Sequence, residues 1–132
     1  MKEAGLYIHI PFCKQKCFYC DFPSYACKEN LMKDYIKALC KEIESKCKKL
    51  SIKSLFIGGG TPSYLDEESL AYLMNTIKKL NFKDNAEKSM ECNPGTINKA
   101  KLDIIKKGTI NRLSFGLQTT DNNLLKKIGR IH

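Results

Sequence analysis

Cys13, Cys17 and Cys20 stand in the spacing Cys-x3-Cys-x2-Cys, directly after an apolar run. Thiolates are the usual ligands of iron–sulfur clusters, and four of them close a [4Fe–4S] site, whereas three leave one iron with a free coordination position. The spacing predicts a [4Fe–4S] cluster with one iron open to a small molecule. The competing reading is a zinc site completed by His9 or a fourth cysteine. Zinc is usually held by two close pairs set some distance apart, and here three thiols share one loop with no second pair. A thioredoxin-like role for Cys17 and Cys20 leaves Cys13 unexplained. Cys27, Cys40, Cys47 and Cys92 have ordinary spacings and read as small buried apolar residues.

The elements that must position this loop follow from apolar periodicity, which switches repeatedly between period 2 and period 3.6. Residues 6–10 read as a strand. Residues 29–49 read as a helix with Met32, Ile36, Leu39, Ile43 and Cys47 on one face. A second strand at 52–57 leads into Gly58, Gly59, Gly60, Thr61 and Pro62, taken as a turn. A helix over 66–80 buries Leu70, Leu73, Met74, Ile77 and Leu80, a third strand covers 88–92, and Asn98 caps a helix that buries Leu102 and Ile105, with Ile104 a further candidate, and stops at Gly108. A fourth strand at 110–117 and a helix over 121–128 complete the pattern.

Four successive strand–helix units imply an α/β fold with a parallel sheet, whose sites lie at the carboxyl ends of the strands. Each unusual polar cluster follows a strand: the cysteine loop, the triple glycine, Glu91 with Asn93, and Gln118. Alternation places Arg112, Ser114, Gly116 and Gln118 on one face of the fourth strand, opposite Leu113, Phe115 and Leu117. In a barrel the helices cover the outer face, so the polar set faces the lumen. By the same count Tyr7 and His9 look inward, toward the cysteine loop.

At 132 residues the chain is read as a single domain. The odd number of cysteines, seven, and the absence of an apolar leader before residue 13 favour a reducing, cytoplasmic setting over a disulfide framework. No apolar run approaches the roughly 18 to 20 residues that cross a bilayer. The net charge of +9 comes from lysines spread over several helices without one basic block interleaved with aromatics, so no nucleic-acid partner is expected. The same lysines suit docking of an acidic electron donor such as a flavodoxin or ferredoxin.

Five segments together carry a resemblance: Tyr7 to Phe22 with the three cysteines, Phe56 to Ser63, Glu91 to Thr96, Arg112 to Gln118, and Ile128 to His132. In this order they resemble the radical S-adenosylmethionine (SAM) superfamily, and within it the oxygen-independent coproporphyrinogen III oxidase group and its haem-chaperone branch. The resemblance implies that the open iron binds the amino and carboxylate groups of SAM, and that an electron from the cluster cleaves the sulfonium to methionine and a 5′-deoxyadenosyl radical. It implies that Gly59, Gly60 and Thr61 approach the methionyl end of SAM, and that Tyr7, Tyr19, Glu91, Gln118 and Arg130 are further SAM contacts. His9 receives no catalytic role.

Two departures from that pattern bear on function. Oxidases of the group carry a further cysteine two residues after the third ligand; here the position is Phe22, as in the haem-chaperone branch. SAM and haem binding are then expected, with porphyrinogen oxidation the alternative and a zinc-stabilised interaction module the third reading. The family core is also an incomplete barrel of about six strand–helix units. The chain is accordingly expected to be the N-terminal part, residues 1–132, of a radical SAM core: about four parallel strands with outer helices, not closed, with two edges that favour aggregation or dimerisation.

Overall fold

In the computed structural model, which describes residues 1–14, 17–19, 24–26 and 28–130, four parallel strands form one open sheet. They are β1 (Lys2–Ile10), β4 (Leu50–Gly59), β5 (Phe82–Cys92) and β6 (Arg112–Phe115), ordered β1-β4-β5-β6. Parallel neighbours need crossovers, and helices supply them: α1 (Met32–Cys47), α2 (Glu67–Lys78) and α3 (Lys99–Lys107), with α4 (Asn122–Lys127) following β6. Between β1 and α1, the two-residue strands β2 (Phe12–Cys13) and β3 (Tyr25–Ala26) pair in parallel across the cysteine loop.

Register explains how one sheet has an oily face and a chemical face. Ile8, Ile57, Met90 and Leu113 lie side by side across the sheet; the first three are almost completely buried, and Leu113 packs against the same core. The helices supply the other half of that core through Met32, Ile36 and Ile43 from α1, Leu70, Leu73, Met74 and Ile77 from α2, and Ile105 from α3. One residue further along, the row turns over. His9 pairs with Gly58 and Glu91 with Ser114, and these face away from the helices. The inward phase expected for Tyr7, His9, Ser114, Gly116 and Gln118 is the phase observed.

Several expectations are corrected by packing. The first three long strands start earlier and β4 runs through Gly58 and Gly59, because ladder pairing extends a strand into polar residues that show no apolar alternation. Conversely β6 stops at Phe115, and Phe115 and Leu117 are exposed. A short 3-10 turn at Glu29–Leu31 precedes α1, and Cys40 rather than Leu39 is fully buried on its inner face. Leu102 is 42% exposed, so Ile105 anchors α3 with only partial help from Ile104. Cys40, Cys47 and Cys92 are buried free thiols, and Cys27 lies outside the described residues. The surface ion pairs, such as Lys33 with Glu68 and Arg112 with Glu87, are exposed and contribute little.

Gly108 ends α3 as expected, but for a different reason. It is not left-handed: a Cβ there would sit 2.4 Å from the Met74 sulfur and 2.8 Å from the Met74 Cβ, so the glycine lets α3 close on α2. The left-handed residue is the next one, Thr109, with φ 68. A β-branched side chain is poorly suited to that region. Thr109→Gly is therefore expected to raise stability by about 0.5 to 1 kcal/mol and Gly108→Ala to lower it by about 1 to 3 kcal/mol, both measured by urea denaturation.

Candidate functional site

The cysteine loop is built onto the end of β4 by backbone contact. Gly60 N–H donates to Ile10 O and Thr61 N–H to Phe12 O, each at 2.7 Å. The two chains come so close that a Cβ on Gly59 would lie 2.6 Å from Ile10 O, and one on Gly60 would lie 2.6 Å from Phe12 O. Gly59 also has φ 119, a conformation natural to glycine. The glycines therefore do for the next strand what they were expected to do for a ligand: they admit a neighbouring backbone. That backbone ends at Cys13, whose position is further fixed by the edge-on contact of Phe12 with Tyr35 and the Tyr35 hydroxyl bond to His9 O at 2.6 Å.

A cleft of about 220 Å³ opens above these strand ends. Cys13 and Cys17 line it together with Tyr19, and the β4 end contributes Gly59, Gly60 and Thr61. Glu91 and Asn93 enter from β5, Ser114, Gly116 and Gln118 from β6 and its extension, and Arg130 from beyond α4. Of the residues singled out from sequence, the structure brings all of these to one place except two. Cys20 lies outside the described residues, as do Phe22 and His132. Tyr7 shares the inward face but sits one pleat lower, stacked on Phe56 with its hydroxyl 2.9 Å from His9 Nδ1, and it does not line the cleft.

Arg130 is the side chain with the most partners here. Its Nη1 donates to the Cys17 sulfur at 3.3 Å and to the Tyr19 hydroxyl at 3.4 Å; its Nη2 donates to Asn93 Oδ1 at 3.1 Å and to Gly116 O. The local turn holds it in place: Gly129 is left-handed with φ 79, and Arg130 N–H donates to Leu125 O. The same turn grips the cysteine loop, since Phe18 N–H donates to Ile128 O and the Phe18 ring covers Gly129. Arg130 Nε is buried and has no hydrogen-bond partner among the described residues. A buried orphan donor is costly unless something accepts from it.

Opposite in character is Glu91. Burial raises its carboxyl above the ordinary value of 4.5, opposed by the Gly59 N–H that it accepts and by His9. With that bond, the N–H groups of Gly59, Gly60 and Thr61 are all spent. The backbone of this segment can offer a ligand only its carbonyl acceptors, which suits a cation. Gln118 is held at φ 65, a region seldom adopted by a residue with a side chain. Such strain, of order 1 kcal/mol, persists where the surroundings impose it and is frequent at binding sites.

The donor set fits a cluster with a zwitterionic partner: two thiols on one wall, acceptors at the end of β4, and a guanidinium with an orphaned donor across the cleft. Asn93 was expected among the polar clusters at the strand ends, and Ser114 and Gly116 on the lumen face, but none of them was assigned a cofactor contact and Ser24 was not singled out; all four line the cleft. Strand-end position carried the signal for Asn93 and alternation the signal for Ser114 and Gly116, while Ser24 has no chemical signature of its own.

Comparison with known proteins agrees with this geometry. The profile of the Radical SAM superfamily matches residues 7–132. The chain is 44% identical to a Bacillus subtilis protein named heme chaperone HemW, over 100% of this chain and 36% of that one. Against the protein of the same name from Buchnera aphidicola subsp. Schizaphis graminum it is 47% identical, again over 100% and 36%. The chain thus spans little more than a third of the length of these curated relatives. A solved structure described as coproporphyrinogen III oxidase (HemN) from Escherichia coli, a radical SAM enzyme, superposes with a TM-score of 0.83 at 30% identity, over 96% of this chain and 30% of that one.

Two outcomes follow from the geometry. Gly60→Ala drives its Cβ into Phe12 O and is expected to displace Cys13, so that iron uptake on anaerobic reconstitution falls well below that of the parent chain. Because the folded carboxyl of Glu91 titrates above its ordinary value, its ionised form is disfavoured in the fold: the cost is absent below pH 4.5 and grows as pH rises through the raised value. Glu91→Gln in the metal-free protein is expected to be more stable than the parent in urea at neutral pH, and no more stable below pH 4.5.

Proposed function

From the fact that the chain belongs to the radical SAM superfamily, we propose that its cleft carries a [4Fe–4S] cluster on Cys13, Cys17 and Cys20 and binds SAM beside it. The observation that supports this most is the convergence of the ends of β4, β5 and β6 on one cleft with Cys13 and Cys17 of the loop that follows β1. When bound, the cluster supplies the electron that opens the sulfonium of SAM. The protein's share is to hold and orient. Carbonyls at the end of β4 accept from the ammonium of the methionyl group, Arg130 offers charge to its carboxylate, and Glu91 and Gln118 bond its polar remainder. Tyr19 closes the cluster side, while Tyr7 lies one pleat below, bonded to His9 and stacked on Phe56, in place of touching the cleft itself.

Within the superfamily, we assign the chain to a haem chaperone of the HemW type. Phe22 stands where oxidases of the group have another cysteine, and the relatives at 44% and 47% identity carry the HemW name. The structural likeness to coproporphyrinogen III oxidase keeps a second reading open, in which porphyrinogen propionates are oxidised to vinyl groups. Both readings draw on residues beyond the described part of the barrel for haem or porphyrinogen. The chain serves as the N-terminal part of the core, in the cytoplasm, receiving electrons from an acidic flavodoxin- or ferredoxin-like donor. No helix among the described residues is long and apolar enough to cross a membrane.

The test is anaerobic reconstitution of the full-length protein. It should take up about four irons per chain, bind SAM in calorimetry and bind haem by its absorption spectrum, while yielding no protoporphyrinogen from coproporphyrinogen with SAM and a reductant. A single bound zinc would contradict the cluster, and protoporphyrinogen formation would transfer the assignment to the oxidase.

A further inference from the structure

Behind the cleft, three side chains that no cofactor contact explains join the loops after β4 and β5. Ser63, completely buried, accepts from Asn93 N–H at 3.1 Å and shares a short hydrogen bond with the Thr96 hydroxyl. Thr96 also bonds Asn93 O at 2.5 Å. Lys101, reaching back from α3, donates to Ser63 O at 2.9 Å and to Thr96 O at 3.0 Å. One ammonium thus holds a carbonyl from each loop. Burial pushes its pKa down, which is the cost of keeping it there.

The side chain of Asn93 points from this knot into the cleft, where it has two partners. Its Nδ2 donates to Thr61 Oγ1 at 3.0 Å, and its Oδ1 accepts from Arg130 Nη2 at 3.1 Å. Guanidinium groups only donate, so the orientation of the amide is fixed by Arg130. Asn93 therefore spans the distance between the acceptor end of the site and its cationic end. We propose that Asn93 is a positioning residue that sets Arg130 and Thr61 for SAM, and that Lys101 sets Asn93 by clasping its loop to that of Ser63. This rests on the reading of the cleft as a SAM site.

The chemistry separates what Asn93 does from its bulk. An aspartate offers Arg130 the same acceptor, and the Thr61 hydroxyl can turn from acceptor to donor to meet it. A leucine of similar size offers nothing. A hydrogen bond to a charged group is worth about tenfold or more in binding. In the reconstituted full-length protein, Asn93→Leu is expected to weaken SAM binding about tenfold in calorimetry at unchanged iron content, with Asn93→Asp within about threefold of the parent. Lys101→Met should weaken SAM binding as well, and adding it to Asn93→Leu should weaken binding little further, because both act through one side chain.

The electron paramagnetic resonance spectrum of the reduced cluster supplies a second readout. Its change on adding SAM should be retained in the aspartate variant and diminished in the leucine variant. Parental SAM affinity in Asn93→Leu would overturn the proposal, as would an aspartate variant as weak as the leucine one, additive losses in the double variant, or loss of iron alongside SAM affinity. An unsubstituted protein that takes up iron but binds no SAM would instead contradict the proposed function.

Discussion

The site depends on the approach of two backbones at the top of the sheet. Where Gly59 and Gly60 meet the segment from Ile10 to Phe12, there is no room for a Cβ, and two N–H···O bonds of 2.7 Å lock the contact. This contact decides where Cys13 is, and it consumes N–H groups that would otherwise face a ligand. The loop bearing the thiols is thus fastened to the segment proposed to meet SAM. Removing the space between them would cost both functions at once.

Around that contact, charge is separated in a way the core alone would not favour. Partial burial raises the Glu91 carboxyl above its ordinary value, Arg130 keeps an unpartnered donor among the described residues, and Gln118 is held left-handed. Each is a small loss of stability at one end of the sheet. The oily row of Ile8, Ile57 and Met90 beneath the helices carries these losses, and the row one step away, His9, Gly58, Glu91 and Ser114, presents the polar groups. Alternation in a strand is what allows one sheet to serve both purposes.

Much of this was legible in the sequence because it is written in period 2. The inward phase of Ser114, Gly116 and Gln118 and the outward phase of Leu113 follow from counting, as does the α2 stripe of Leu70, Leu73, Met74 and Ile77. Strand lengths were not legible. Lys2 to Gly5 lack apolar alternation and are strand because Leu50 to Ser54 are there to pair with, and β5 reaches back to Phe82 across an irregularity in its pairing with β4. The reason for Gly108 is likewise tertiary, lying in Met74 of another helix, and so is the knot of Ser63, Thr96 and Lys101, whose members are spread over 38 residues of sequence. Chemical type announced the cysteines and the family resemblance pointed to Arg130, while the amide of Asn93 acquired its bridging role only from what stands on either side of it.

The central claim is that three thiolates leave one iron for SAM in the cleft of Gly59, Gly60, Glu91, Gln118 and Arg130. Mössbauer spectroscopy of the full-length protein, reconstituted with isotopically enriched iron, addresses it directly. The account predicts a cluster in which a single iron site changes its isomer shift when SAM is added and the other sites do not. A spectrum unaffected by saturating SAM, or one showing isolated iron in thiolate coordination without a cluster, would contradict it.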